Sequence, residues 1–126
     1  MPRRLFTPAE ANSALDQVRP AAERLREYLE RVEIATPGVP LINNVDVATP
    51  QDPGSIKDAL VRQAASPVRW VETIQRMSQS GVTHVIECGP GKILAGLVKR
   101  IAPQLQGIAL SDRAALEQAL AALKGA

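Results

Sequence analysis

Apolar side chains recur at helical spacing through the first quarter of the chain. They follow one another at steps of four and three residues, which places them on one stripe of a helix; they are Ala11, Leu15, Val18, Ala22, Leu25, Leu29 and Val32. Thr7 suits the cap of this helix, Pro8 its first position, and Glu10 completes a capping box. Pro20 lacks the N–H of a helical hydrogen bond, so we expect a kink there or two abutting helices.

The stripe is compatible with two kinds of packing. A heptad-like stripe is typical of a coiled-coil dimer, whereas an amphipathic helix also packs on the sheet of its own domain. The alanines in the stripe and Pro20 favour the second alternative.

Beyond this helix the pattern alternates between strands and helices. The apolar run over residues 41–47 predicts a strand, within which Asn43 and Asn44 need hydrogen-bond partners or an exposed end. The remaining predicted elements are helices over about 55–65 and 68–80, a strand over 82–88, a helix over 92–102, a strand over 107–111 and a helix over 114–124. Strands separated by helices imply parallel pairing.

The fold class that follows is α/β. We predict a small three-layer domain with about three parallel strands flanked by helices. It occupies residues 1–126 as a single domain, with the amphipathic helix over 1–33 and a β-α-α-β-α-β-α segment over 34–126.

Composition supports a globular chain and argues against two classes of partner. Apolar residues make up 45% of the 126 residues, while the only aromatic residues are Phe6, Tyr28 and Trp70. A net charge of +2 without a concentrated basic face, and without aromatic stacking platforms, disfavours nucleic-acid binding. No apolar stretch is long enough to span a membrane and no apolar segment follows Arg3 and Arg4, so a cytoplasmic protein is expected.

Cys88 is the single cysteine and His84 the single histidine. An internal disulfide is impossible, and a zinc site of cysteines and histidines would need more ligands. Cys88 as a nucleophile would need a base, and only His84 carries an imidazole. The plainer interpretation makes both ordinary strand side chains, and we predict neither a metal nor a cofactor.

Three segments carry a resemblance to a known family. Residues 39–47, residues 56–63 with 67–70, and residues 81–97 with 99–101 resemble malonyl-CoA:acyl-carrier-protein transacylases in the order and spacing of that family. Residues 20–25 resemble the helix that leads into the first segment. The resemblance covers roughly Pro20 to Ala126 and corresponds to the C-terminal third or so of a family member.

The resemblance implies a site that this chain does not complete. Such enzymes use a Ser-His pair in an α/β-hydrolase-like large subdomain with a smaller ferredoxin-like subdomain inserted, and their serine lies in G-x-S-x-G, which is absent here. The family arginine for the malonyl carboxylate lies upstream of the matched portion. The family histidine corresponds to Ala14, and His84 cannot replace it. Gln63 matches the glutamine whose backbone carbonyl orients that histidine, a vestigial role here. Ala64 and Ala65 replace the family's Leu-Tyr.

Two further features have alternative interpretations. Residues 89–92, Gly-Pro-Gly-Lys, lie between a predicted strand and helix and suggest a phosphate loop, but Ile93 follows Lys92 where that motif needs a hydroxyl. A tight turn is the alternative. Residues before Pro20 depart from the family, so the chain reads as truncated, recombined or engineered, with an unrelated helix start.

Three hypotheses about function follow. The first is a catalytically silent stand-alone α/β domain derived from a transacylase. The second is an acyltransferase, malonyl transfer to acyl-carrier protein in fatty-acid synthesis, completed by a second chain. The third is a module that binds an acidic acyl-carrier protein through Lys92, Lys99 and Arg100, with Arg69 nearby in the same basic set. A solvated helix face explains the same charges, and self-association through an exposed sheet edge or the first helix is a further expectation.

Overall fold

A computed structural model describes residues 8–124, with side chains described from Val18 onward. Its backbone forms two compact units, one up to Arg69 and one from Trp70. The first unit holds α1 (Pro8–Glu30) and α2 (Pro53–Gln63). The second holds α3 (Trp70–Gln79), β1 (His84–Cys88), α4 (Ile93–Ile101), β2 (Gln106–Leu110) and α5 (Arg113–Lys124).

The amphipathic stripe of α1 is confirmed from Val18 onward. Val18, Ala22, Leu25 and Val32 are half-buried and Leu29 is buried, while the residues between them are exposed. The helix continues through Pro20 as one element rather than as two. Its partner within the unit is α2, and no strand lies among the described residues of that unit. Ala11 and Leu15 lie outside the described side chains.

The start of α2 is set by its cap. Asp52 has an extended backbone and its carboxylate accepts the Ser55 N–H at 2.8 Å, while Pro53 takes the first helical position, where no N–H is needed. The helix therefore begins two residues earlier than the apolar pattern indicates. It buries Ile56, Ala59 and Val61.

Residues 41–47 form a loop with a turn, so the first predicted strand is absent and the described sheet has two strands rather than about three. The Asn43 side chain accepts the N–H groups of Val45 and Asp46, at 3.2 and 2.7 Å, and the Asn43 N–H donates to Ala48 O at 2.9 Å. These N–H groups are thereby removed from any ladder, because Asn competes locally for backbone donors. Val47 then adopts a φ of 58°, which no strand accommodates.

The second unit confirms the parallel α/β arrangement. β1 pairs with β2 in parallel, from His84 opposite Gln106 to Cys88 opposite Leu110. α4 makes the crossover between them and packs on both strands, and α5 packs on β2. Ile74 of α3 and Val98 of α4 are fully buried in the core beneath these elements.

A glycine allows α4 to lie directly on the sheet. A Cβ placed on Gly107 of β2 would fall inside the van der Waals radius of the Ala95 carbonyl of α4. The two backbones meet at this point without a side chain between them. Only glycine fits there.

Candidate functional site

The junction between α2 and the preceding loop is built around Gln63. Its Oε1 accepts the backbone N–H of Asn44 at 2.8 Å, and the Asn44 carbonyl accepts the N–H of Arg69 at 3.1 Å. The backbone carbonyl of Gln63, the atom to which the family resemblance assigns the histidine-orienting role, lies 3.5 Å from the Ser66 N–H. The glutamine side chain thus anchors the loop to the end of α2.

Arg62 ties the same loop to α2 by charge. Its two terminal nitrogens donate to the two carboxylate oxygens of Asp46 at 2.7 Å each, and its Nε donates to Asp58 at 2.6 Å. Two parallel bonds of this kind hold a carboxylate in one orientation. The hydrogen bonds from Arg62 lower the pKa of Asp46, and the two carboxylates raise the pKa of Arg62.

Arg26 extends this ionic cluster to α1, with a nitrogen 3.9 Å from the Asp58 carboxylate. Asp46, Asp58 and Arg62 line an open cavity of about 570 Å³, whose polar walls also include Asn43, Thr49 and Ser55. Sequence reasoning missed these residues, although the Arg-Gln pair at 62–63 lay in a matched segment. The partner of Arg62 is 16 residues away in the sequence, and no local spacing rule points to it.

Ala14, Ala64 and Ala65 are the positions at which the resemblance implies a departure from the family. Ala14 lies within α1, and its side chain is outside the described residues. Ala64 and Ala65 follow the last residue of α2 and are exposed. Ala64 closes the helix through a hydrogen bond from its N–H to the Leu60 carbonyl at 3.3 Å.

His84 and Cys88 stand at opposite ends of β1. Four strand steps separate them, about 13 Å, so the imidazole cannot activate the thiol. The His84 Nδ1 lies 2.9 Å from the neighbouring Thr83 hydroxyl, and Cys88 is exposed as a free thiol. Both are strand side chains, as the plainer interpretation has it.

The glycine-rich turn before α4 is closed by a carboxylate. Glu87 Oε2 accepts the N–H of Ala95, in the first turn of α4, at 2.8 Å. A helix N-terminus attracts anions through its free N–H groups, and here a side chain of β1 already supplies the negative charge. This geometry favours the tight turn over the phosphate loop for residues 89–92.

The basic residues predicted to dock a partner are exposed but do not all lie together. Lys92 caps the start of α4 without a side-chain bond, whereas Lys99 and Arg100 lie in its last turn. Lys99 also borders a groove of about 390 Å³ between α4 and β2. Arg69 belongs to the first unit, where its charge contributes to the lowered pKa of Asp46.

The described part of the chain holds neither a metal-binding cluster nor a membrane-spanning helix. Among the described side chains, from Val18 to Lys124, no group of three or more His, Cys, Asp or Glu residues is placed to hold a metal ion. No helix in that part of the chain has the length and apolar character needed to cross a membrane.

Comparison with known proteins gives close relatives. The malonyl CoA-acyl carrier protein transacylase of Salmonella typhimurium is 42% identical over 118 residues, covering 94% of this chain and 38% of that protein. The crystal structure of an acyl-carrier-protein S-malonyltransferase from Burkholderia pseudomallei is 57% identical, with a TM-score of 0.79 over 82% of this chain and 34% of that one. No family model matches the chain.

A third relative was solved with a partner. It is a malonyl-transacylase in complex with a type II polyketide acyl-carrier protein, 44% identical, with a TM-score of 0.80 over 82% of this chain and 34% of that one.

The extent of these matches bears on two expectations. The chain spans little more than a third of the length of the relatives it matches. The match to the Salmonella protein covers 94% of the chain and so extends into the residues before Pro20, and it lends no support to a separate origin for them. By sequence and by fold, the chain is homologous to malonyl-CoA:acyl-carrier-protein transacylases and fits a C-terminal segment of them, about a third of their length.

Proposed function

We propose that this chain, taken alone, is a catalytically silent α/β segment of the transacylase fold. The observation that carries the proposal is the alanine at position 14 of the sequence. The position that matches the family's general base holds a methyl group, which cannot accept a proton. The glutamine that would support that base is nevertheless held in place by Asn44 at 2.8 Å.

The nucleophile gives a second reason. Covalent acyl transfer needs an activated hydroxyl or thiol with its base within about 3.2 Å and donors for the oxyanion. The sequence has no G-x-S-x-G, and the Cys88 thiol lies a full strand length from His84. We infer that no side chain of this chain forms a malonyl intermediate.

The test is a malonyl-transfer assay on the purified full chain. Malonyl-CoA and an acyl-carrier protein are incubated with the chain, free CoA is followed with time, and intact mass spectrometry searches the chain for the malonyl adduct. We expect the uncatalysed rate and no adduct, with a full-length transacylase as the positive control. Ala14→His alone should leave the rate unchanged, because its imidazole has no serine to activate. An adduct on any residue of the isolated chain overturns the proposal.

A second candidate function is docking of an acidic acyl-carrier protein. It is favoured by the exposure of Lys92, Lys99 and Arg100 on α4 and by the relative solved with such a partner. Charge complementarity of this kind raises association rates and makes affinity fall with salt. The alternative is that these side chains are only a solvated helix face.

The docking experiment is a charge reversal. Lys99→Glu with Arg100→Glu should weaken binding of an acyl-carrier protein at least tenfold at low salt, measured by calorimetry. Arg113→Glu with Lys124→Glu makes the same change of net charge on α5, at two exposed side chains, and should alter the affinity less than twofold. Equal effects of the two changes would mean that net charge, and not a docking surface on α4, controls binding.

A further inference from the structure

Gly96, inside α4, is a glycine that the packing of the second unit does not explain. Glycine weakens the interior of a helix relative to alanine, because it loses more conformational freedom on folding. Gly107 of β2 is needed where the Ala95 backbone approaches it. A Cβ placed on Gly96, by contrast, would meet no described atom within 4 Å, and the residue is exposed. The described contacts of α4 therefore do not require glycine at this position.

The missing side chain opens a recess in the side of α4. Gly96 and Gly107 line the groove of about 390 Å³ between α4 and β2, and the lining also includes the buried Leu105. Lys99 borders the same groove, one helical turn beyond Gly96. This recess, formed by Gly96, Lys99, Leu105 and Gly107, is here named the Gly96 notch. It combines small and apolar lining residues with a positive charge at its border.

Basic residues stand on both sides of the Gly96 notch along α4. Lys92 precedes Gly96 by four residues and Lys99 follows it by three, so the helical period places the three positions on one face. At 1.5 Å of rise per residue, the two lysines lie about 10 Å apart along the helix. Both are exposed, and Lys92 makes no side-chain bond to the helix. Two positive charges therefore flank an uncharged recess.

We infer that the Gly96 notch receives an apolar side chain from an acidic helix of a partner, between carboxylates that pair with Lys92 and Lys99. A helix that carries an apolar residue one turn from an acidic residue on either side has the spacing that α4 presents. The inference rests on the docking of an acidic acyl-carrier protein proposed above, and it adds the apolar contact.

The charges alone do not select such a partner. Charged groups at the border of an interface steer association and make affinity fall with salt, and they attract any acidic protein. A side chain seated in the notch adds apolar burial, which salt does not screen, and an acidic helix with a polar or bulky residue at that position is rejected. The charge and the notch therefore make contributions that respond differently to salt.

The experiment is calorimetry of the full chain with a purified acyl-carrier protein over a range of salt concentrations. Gly96→Leu fills the notch and leaves every charge in place, so we expect binding at least tenfold weaker with an unchanged salt dependence. Gln118→Leu adds the same side chain at an exposed position of α5 and should alter the affinity less than twofold. Lys99→Glu with Arg100→Glu should, in contrast, reduce the salt dependence.

Thermal unfolding separates a loss of binding from a loss of structure. Gly96→Leu should unfold no earlier than the unmodified chain, because its side chain enters open space and leucine favours a helix. A variant that unfolds earlier overturns the inference, since the position is then not open. Binding by Gly96→Leu within twofold of the unmodified chain overturns it as well, while the docking proposal stands if the charge reversal still weakens binding. An unmodified chain that binds no carrier protein overturns both.

Discussion

The carboxylate of Glu87 and the backbone N–H of Ala95 share a hydrogen bond of 2.8 Å, which fixes the first turn of α4 to the strand that precedes it. Lys92, at the formal cap position, makes no side-chain bond to the helix. A residue of β1 therefore does the capping across the glycine-rich turn.

Removing this cap should destabilise the second unit. Glu87→Ala is expected to cost about 0.5–2 kcal/mol in the free energy of unfolding, because an N–H of the first turn loses both an acceptor and a favourable charge. Urea denaturation measures the change. Glu117→Ala, which removes an exposed carboxylate from α5, should cost less than about 0.5 kcal/mol. Equal stabilities of Glu87→Ala and the unmodified chain would show that the bond contributes nothing.

Replacing each of two glycines by alanine should change the stability of the chain in opposite directions. Gly107→Ala forces a Cβ into the Ala95 carbonyl, so we expect a loss of about 1–3 kcal/mol. Gly96, inside α4, has open space around its Cβ position, and Gly96→Ala should stabilise by about 0.5–1 kcal/mol through helix propensity. Thermal unfolding compares the two. A stabilising Gly107→Ala would mean that α4 and β2 do not meet as described.

The α1–α2 contact predicts that truncating a side chain of α1 destabilises the first unit in proportion to the burial of that side chain. Leu29 is 9% exposed, and Leu29→Ala should destabilise the first unit by about 2–4 kcal/mol. Leu25 is only half-buried, so Leu25→Ala should cost about half as much, and Tyr28→Ala, at a side chain 67% exposed, still less. Denaturation at two protein concentrations also tests the packing. Stability that rises with concentration would assign the stripe to a dimer.

The Asp46–Arg62 ion pair predicts that the folding stability of the first unit falls at acidic pH. The pKa of Asp46 is lowered in the folded chain, so its contribution is present above the unfolded value near 3.9 and is lost as the pH falls through the folded value. Asp46→Asn should therefore lower stability at pH 7, and its difference from the unmodified chain should shrink as the pH falls below about 4. Urea denaturation at pH 7 and pH 3 measures this difference, with Glu33→Gln as the control that removes a carboxylate outside the loop. If the stability difference between Asp46→Asn and the unmodified chain is the same at both pH values, the ion pair with Arg62 is not its cause.

The sequence-based predictions succeeded where one element's own pattern was sufficient. The stripe of α1, the helices α2 to α5 and the parallel strands of the second unit all follow from periodicity and from glycine and proline positions. The run over 41–47 misled because its β-branched residues favour a strand, whereas Asn43 binds two backbone N–H groups by itself. The two asparagines had signalled a need for partners: the Asn43 side chain accepts two N–H groups, and Asn44 bonds through its backbone N–H and carbonyl.

The site could be predicted only in part, for a related reason. Gln63 was identified through the family resemblance, but its bond to Asn44 joins residues 19 apart, and the Arg62–Asp46 pair joins residues 16 apart. Contacts of this kind depend on how a loop folds back on a helix. No local pattern specifies them, and the same is true of Glu87, whose role as a cap appears only once α4 has been placed over β1.

The close approach at Gly107 has a consequence for how the chain meets a partner. α4 is held at its first turn twice, by the hydrogen bond from Ala95 to Glu87 and by the close approach of the Ala95 backbone to Gly107 of β2. Lys99 and Arg100 are therefore presented from a scaffold whose backbone is already ordered. A partner that docks on this helix meets a preformed surface, so association should proceed as a rigid-body encounter with ordering confined to side chains, and without the entropic cost of folding on binding.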